Sequence, residues 1–213
     1  MIKIRWHGHA CFEISNDLII VTDPHDGSSI GIRPPNVKAD VVLVSHDHYD
    51  HNKVKAVGKE GTKVIRGGNE NIDGIEISSL KAYHDKEEGK RRGEITIFKF
   101  TIEGTTFCHL GDLGHAIDDD SAEKIGNVDI LFVPIGGVFT IDGKEALEVC
   151  KKIKPKVIVP MHYKVGGLSI PIERIDAFLD NARKYYEIRH VANEIEIESD
   201  DLPVEEEIWV FTL

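Results

Sequence analysis

The chain of 213 residues reads as an α/β protein, a four-layer αββα sandwich of two mixed β-sheets with helices on both outer faces. Two patterns predict it. The first half carries short apolar runs of period two in close succession, the mark of hairpin-linked strands, and the second half alternates strand and helix twice, the mark of a sheet with helices on its face. A two-sheet sandwich with outer helices accommodates both halves.

The chain opens on the alternation Ile2-Lys3-Ile4-Arg5-Trp6, whose apolar members fall on one face of a strand. Strands follow at residues 11–15, 18–22 and 41–45, then a helical segment over 52–58 and a strand at 63–66. Runs rich in β-branched and aromatic residues at 75–80, 95–102 and 105–109 read as further strands. Beyond them a short helix at 121–125 precedes a strand at 129–134. A helix at 144–153, with Pro155 after it, precedes a strand at 157–159, and 172–186 reads as the last helix. The acidic stretches 118–120 and 194–207 read as solvated faces, with an acidic interaction tail as the alternative for the second.

A chain of this length closes one substantial core and nothing in it calls for a second, so 1–213 is read as one domain. The net charge of -11 and pI near 5.4 argue against a general nucleic-acid binder, since phosphate backbones are held by clustered Lys and Arg. Cys11, Cys108 and Cys150 are an odd set without C-x-x-C spacing and read as reduced, packed thiols. No apolar run reaches membrane-spanning length and the opening is a strand, so the reading is a cytoplasmic protein with a small-molecule substrate and no membrane partner, homo-oligomerisation being open. The chain has no Gln and 30% charged residues, a bias found in thermophile proteins.

The run His46-Asp47-His48-Tyr49-Asp50-His51 carries the chemistry. Strand alternation sends His46 and His48 the same way, toward one ion. Asp50 and His51, where the chain turns toward 52–58, aim at a displaced point, which suggests a second ion. Imidazole and carboxylate without thiolate is the donor set of a catalytic divalent site, whereas structural zinc favours Cys.

Residues 45–51 resemble the H-x-H-x-D-H signature of the metallo-β-lactamase superfamily, and that superfamily's other landmarks occur in order. Asp23 resembles its early strand-end Asp, His84 its third-motif His, Asp112 its bridging Asp, and His162 its closing His. The opening Trp6-His7-Gly8-His9-Ala10-Cys11-Phe12 is similar to a compact branch of predicted metal-dependent hydrolases related to the ascorbate-6-phosphate lactonase group. The resemblance implies a metallo-β-lactamase-like sandwich in which His46, His48 and His84 hold one divalent ion and Asp50, His51 and His162 a second, with Asp112 bridging them. Zinc is the implied metal, because His48 stands where iron-binding diiron flavoproteins carry Glu; Mn2+ or Fe2+ are the alternatives. In the implied mechanism Asp112 keeps the ions together and Asp50 orients a metal-bound hydroxide before taking its proton.

Four residues are read as hydrogen-bonding groups behind the ligands: His9, favoured over His7 by the family's Gly-His pattern, Asp23, His25 and His109. His109 is also a rival of His84, and Tyr49 or His109 would assist the leaving group. Residues 85–93, with Arg91 and Arg92, read as an exposed charged loop, contact with an anionic substrate being the alternative. Gly136-Gly137 and Gly166-Gly167 read as tight turns. The expected activity is hydrolysis of a small anionic ester, lactone or phosphodiester. The alternatives are a nucleic-acid phosphodiesterase of the same fold and a metal-dependent sensor without turnover.

Overall fold

The computed structural model describes Met1 to Leu213. Its chain begins with β1 (Ile2–Trp6), β2 (Phe12–Ser15), β3 (Ile19–Thr22) and β4 (Ala39–Leu43), then the single-turn helix α1 (Val54–Val57) and β5 (Gly58–Ile65). Antiparallel strands follow: β6 (Glu70–Ile72), β7 (Ile75–Tyr83), β8 (Glu94–Ile102) and β9 (Thr105–His109). Next come α2 (Asp119–Ile125), β10 (Ile130–Pro134), α3 (Gly143–Ile153), β11 (Val157–Met161), α4 (Asp176–Ala182), β12 (Glu187–His190), β13 (Glu194–Ile197) and β14 (Glu207–Val210).

Two mixed sheets result, ordered β13-β1-β2-β3-β4-β5 and β12-β14-β11-β10-β9-β8-β7-β6. Alternation along β1 buries Ile2, Ile4 and Trp6 and leaves Lys3 and Arg5 half-buried. Such faces meet in one cluster of 52 buried side chains drawn from both sheets, which makes the strand ends rigid platforms for whatever extends beyond them. On the outer face of the first sheet Val57 of α1 packs with Cys11, Val21 and Val42. Over the second sheet α3 touches α2, α4 and β10. It begins with a capping box: the Asp142 carboxylate accepts the N–H groups of Lys144 and Glu145 at 2.9 Å, and Glu145 Oε2 accepts the Asp142 N–H at 3.1 Å.

Several elements differ from the sequence reading. The helical stretch expected over 52–58 shrinks to α1, because Asn52 and Lys53 stay in the loop and the edge strand β5 starts at Gly58. The helix expected over 172–186 is confined to α4: Glu173 donates to the Gly136 carbonyl at 2.8 Å and accepts from Lys164 at 2.7 Å, tying residues before α4 into loops beside the site. The acidic stretch 194–207 is more than a solvated face. Its Glu-Ile alternation makes β13, which places Glu194 and Glu196 opposite Arg5 and Lys3, and β14 then enters the second sheet with Trp209 fully buried. No helix is long and apolar enough to cross a membrane.

Strand direction decides where the site falls. β3, β4 and β5 run parallel, as do β9, β10 and β11, and β7 lies two antiparallel steps from β9. The C-terminal ends of β7, β9 and β11 therefore share one edge of their sheet, and the loops leaving them carry His84, Asp112 and His162.

Candidate metal centre

The cluster is assembled from the ends of both sheets. Asp23, just after β3, is buried, and each of its oxygens is committed: Oδ1 accepts the Ser45 N–H at 2.7 Å, while Oδ2 accepts the Ser45 hydroxyl at 2.6 Å and His51 Nδ1–H at 3.0 Å. Ser45 Oγ in turn accepts His46 Nδ1–H at 2.9 Å. These contacts hold Nδ1 of both rings outward, so His46 and His51 each turn Nε2 toward the centre.

Those Nε2 atoms, with those of His84 and His162, converge on one carboxylate. Asp112 Oδ2 lies 3.2 Å from His51 Nε2, 3.2 Å from His162 Nε2, 3.3 Å from His84 Nε2 and 3.7 Å from His46 Nε2. Donor atoms of His46, His48 and His84 lie within 4.8 Å of one another, and so do those of His9, Asp50, His51 and His162. Among the buried atoms with no hydrogen-bond partner are His46 Nε2, His51 Nε2 and Asp112 Oδ1, together with Nδ1 of His9, His84 and His162. Leaving a buried polar atom unpaired costs about 1–3 kcal/mol each, more for a charged one. Inward-facing, unpaired imidazole and carboxylate atoms of this kind suit a cation among them. The donors are nitrogen and oxygen alone, which fits a divalent catalytic ion.

The electrostatics agree. Burial, with the neighbouring imidazoles, pushes His9 and His46 down to about 3, and burial also lowers His48. Burial alone would raise the Asp50 and Asp112 carboxyls, but the surrounding imidazoles outweigh it and hold both well below the usual carboxylate range. His51 goes the other way: against the cost of burial, Asp112 and Asp50 raise it well above the ordinary histidine value. The centre thus keeps its carboxylates ionised while disfavouring charge on His9, His46 and His48.

The backbone is bent to make this arrangement. His9, Asp23 and His162 have φ of 55°, 37° and 53°, a left-handed conformation that costs non-glycine residues of order 1–3 kcal/mol each. Close approach matters too: a Cβ on Gly136 would lie 2.1 Å from the His162 carbonyl oxygen, so only glycine lets that loop pass.

Residues 3–162 match the beta-lactamase superfamily domain. The chain belongs to that superfamily. A metal-dependent hydrolase of Thermoplasma acidophilum is 31% identical over 222 residues, covering 92% of this chain and 99% of that protein. A crystal structure from Thermotoga maritima, assigned to the Zn-dependent hydrolases of the metallo-beta-lactamase superfamily, superposes with a TM-score of 0.80 at 38% identity, covering 99% of this chain and 98% of that one. A metallo hydrolase of Ignicoccus hospitalis shares the fold, with a TM-score of 0.66 at 24% identity over 86% of this chain and 91% of that one. By family, the chain is a metal-dependent hydrolase.

Within this superfamily member the expected ligand residues come together, and His9 comes closer than expected: its Nε2 lies 2.8 Å from Asp50 Oδ2, inside the second donor group. Its Gly-His context was the only signal available in the sequence. His25 and His109 are corrected. His25 spends its nitrogens on the His7 carbonyl at 2.9 Å and the Gly27 N–H at 3.0 Å, and so clamps its own loop. His109, fully buried, spends its nitrogens on the Ala10 carbonyl at 2.9 Å and the Gly111 N–H at 3.2 Å, which removes it both as rival to His84 and as an aid to the leaving group. His7 pairs with Glu13 at 3.1 Å. A cavity of about 520 Å³ opens over the cluster between Tyr49, Arg91, Arg92, Phe139 and Ile170. A larger hollow of about 790 Å³ beside Arg33, Pro34 and Leu213 lies apart from it and has no acidic side chain in its wall.

Proposed function

We propose that this protein is a dinuclear-metal hydrolase, with zinc the favoured metal, acting on a small anionic ester, lactone or phosphodiester. The observation that carries the reading is the convergence of four imidazoles on Asp112 Oδ2, with His46 Nε2, His51 Nε2 and Asp112 Oδ1 buried and unpaired. In this reading His46, His48 and His84 would hold one ion and Asp50, His51 and His162 the other, with Asp112 a ligand open to both. The bound metal would supply acidified water at neutral pH and polarise the oxygen under attack.

The chain's own groups do the rest. Asp23 and Ser45 orient His46 and His51 by their Nδ1–H groups, keeping the Nε2 atoms inward. Asp50 Oδ2, placed 2.8 Å from His9 Nε2 and 3.3 Å from His51 Nε2, borders the cavity and is the carboxylate positioned to accept the proton of an attacking water. The cavity, about 520 Å³, is of a size for a small molecule, and its only Lys or Arg side chains are Arg91 and Arg92, which with a net charge of -11 disfavours a nuclease. Cys11, Cys108 and Cys150 are free and buried, and burial pushes the Cys108 thiol up to about 12; unreactive thiols of this kind suit a reducing cytoplasm.

The test is a panel of phosphodiester, lactone and thioester substrates offered to zinc- or manganese-loaded protein and to Asp112→Ala, with metal content measured on both. Turnover of one class, abolished in the variant together with loss of bound metal, supports the reading. Full metal content in Asp112→Ala with unchanged turnover would sink it.

A further inference from the structure

The loop between β7 and β8 is built around one carboxylate. Asp85 Oδ1 accepts the N–H groups of Glu87 at 2.8 Å and Gly89 at 2.9 Å, and Oδ2 accepts those of Arg91 at 3.0 Å and Arg92 at 2.8 Å. The segment is thus an ordered turn, not a loose charged loop, and it presents two arginines to the cavity over the metal-ligand cluster.

The two arginines are not equivalent. Arg91 is exposed and already paired, its Nη2 2.7 Å from Glu87 Oε1. Arg92 is half-buried and its guanidinium stacks 4.6 Å over the Phe139 ring, with no ion pair and no hydrogen-bond acceptor in the protein. Acidic side chains do line the adjoining hollow, but Glu145 is taken by Lys86 and Asp142 by the N-terminus of α3, and neither they nor Glu173 pairs with Arg92. A stacked guanidinium is preorganised and weakly hydrated, and it lacks only an anion.

We propose that Arg92, seated on Phe139, is the specificity-determining residue of this site: it holds a non-reacting carboxylate or phosphate of the substrate while the bond to be cleaved lies at the histidine–aspartate cluster across the same cavity. Ile170 and Pro171, also in the wall, suit an apolar stretch of substrate beside the two ends. The word substrate rests on the hydrolase reading; the binding of an anion at Arg92 does not.

The experiment compares para-nitrophenyl hydrogen glutarate with its neutral, similarly sized para-nitrophenyl pentanoate on zinc-loaded protein, and measures glutarate binding by calorimetry in parallel. The expected result is a kcat/KM preference of about 10–100-fold for the anionic ester, the size of one charge-assisted hydrogen-bonded contact. That preference collapses toward parity in Arg92→Gln, chiefly through KM, survives in part in Arg92→Lys, and persists in Arg91→Gln. Glutarate binding should weaken by a similar factor in Arg92→Gln. If neither ester is turned over while glutarate binding still depends on Arg92, the ester-hydrolase reading fails and the anion site stands. A preference or a glutarate affinity indifferent to Arg92→Gln overturns the proposal, with melting curves of both Arg92 variants confirming that they fold.

Discussion

His51 Nδ1 lies 3.0 Å from Asp23 Oδ2, and the same carboxylate oxygen takes the Ser45 hydroxyl at 2.6 Å, so one acid behind the cluster orients His51 directly and His46 through Ser45, two of the three rings contributed by the loop after β4. Asp23→Asn tests this coupling with little backbone penalty, because Asn tolerates the left-handed φ of 37° found there. Metal affinity should weaken by roughly 10–100-fold. Competition with a chromophoric chelator reads it directly, and an unchanged affinity would show that the pair only packs.

Removing metal should leave the buried carboxylates Asp50 and Asp112 without the cation that their site suits. Saturating zinc, at about 100 times its dissociation constant, should add about 2.7 kcal/mol and raise Tm by about 5–10 °C near neutral pH. The gain should shrink as pH falls, since ligand imidazoles must be neutral to bind. Identical melts with and without chelator at neutral pH would contradict the assignment.

Gly136→Ala should damage the site from outside the ligand set, because the new methyl would meet the His162 carbonyl oxygen at 2.1 Å. Overpacking of this kind costs about 1–3 kcal/mol, and displaced His162 should cost bound metal as well. Gly166→Ala is the control, since nothing lies within 4 Å of a Cβ there. Equal melting temperatures and metal contents for the two variants would refute the argument.

Glu13 supplies a pH dependence away from the cluster. Desolvation would raise its carboxyl, but hydrogen bonds from His7 and Lys3 outweigh it and bring it from the ordinary 4.5 down to about 2. A depressed folded value means that the stabilisation is present above the unfolded value and is lost as pH falls from 4.5 toward 2. Glu13→Gln should therefore cost about 1–2 kcal/mol at neutral pH, with the difference from wild type closing over that acid window. Urea melts across the window check it, and a penalty independent of pH would point to packing instead.

Much of the site was legible because its densest part is local. His46, His48, Asp50 and His51 fall within one short loop after β4, and the identity of their donor atoms alone argues for a divalent ion. Strand and helix positions were readable where period and capping agreed, as in β1 and in α3 with its Asp142 cap. Periodicity was blind to the acid-rich end of the chain, where Glu-Ile alternation resembles a solvated face until Lys3 and Arg5 lie across from it.

By itself the sequence determined the donors, the αββα class and the order in which the landmarks occur. Only the tertiary structure decided that His84 faces Asp112 while His109 turns to Ala10 and Gly111, that His9 joins Asp50, and that Arg92 rather than Arg91 is left unpaired above the cavity. The physical reason is that alternation fixes which side of its own strand a residue takes, whereas its neighbour across the core is set by sheet order, register and long-range burial, which no local pattern encodes.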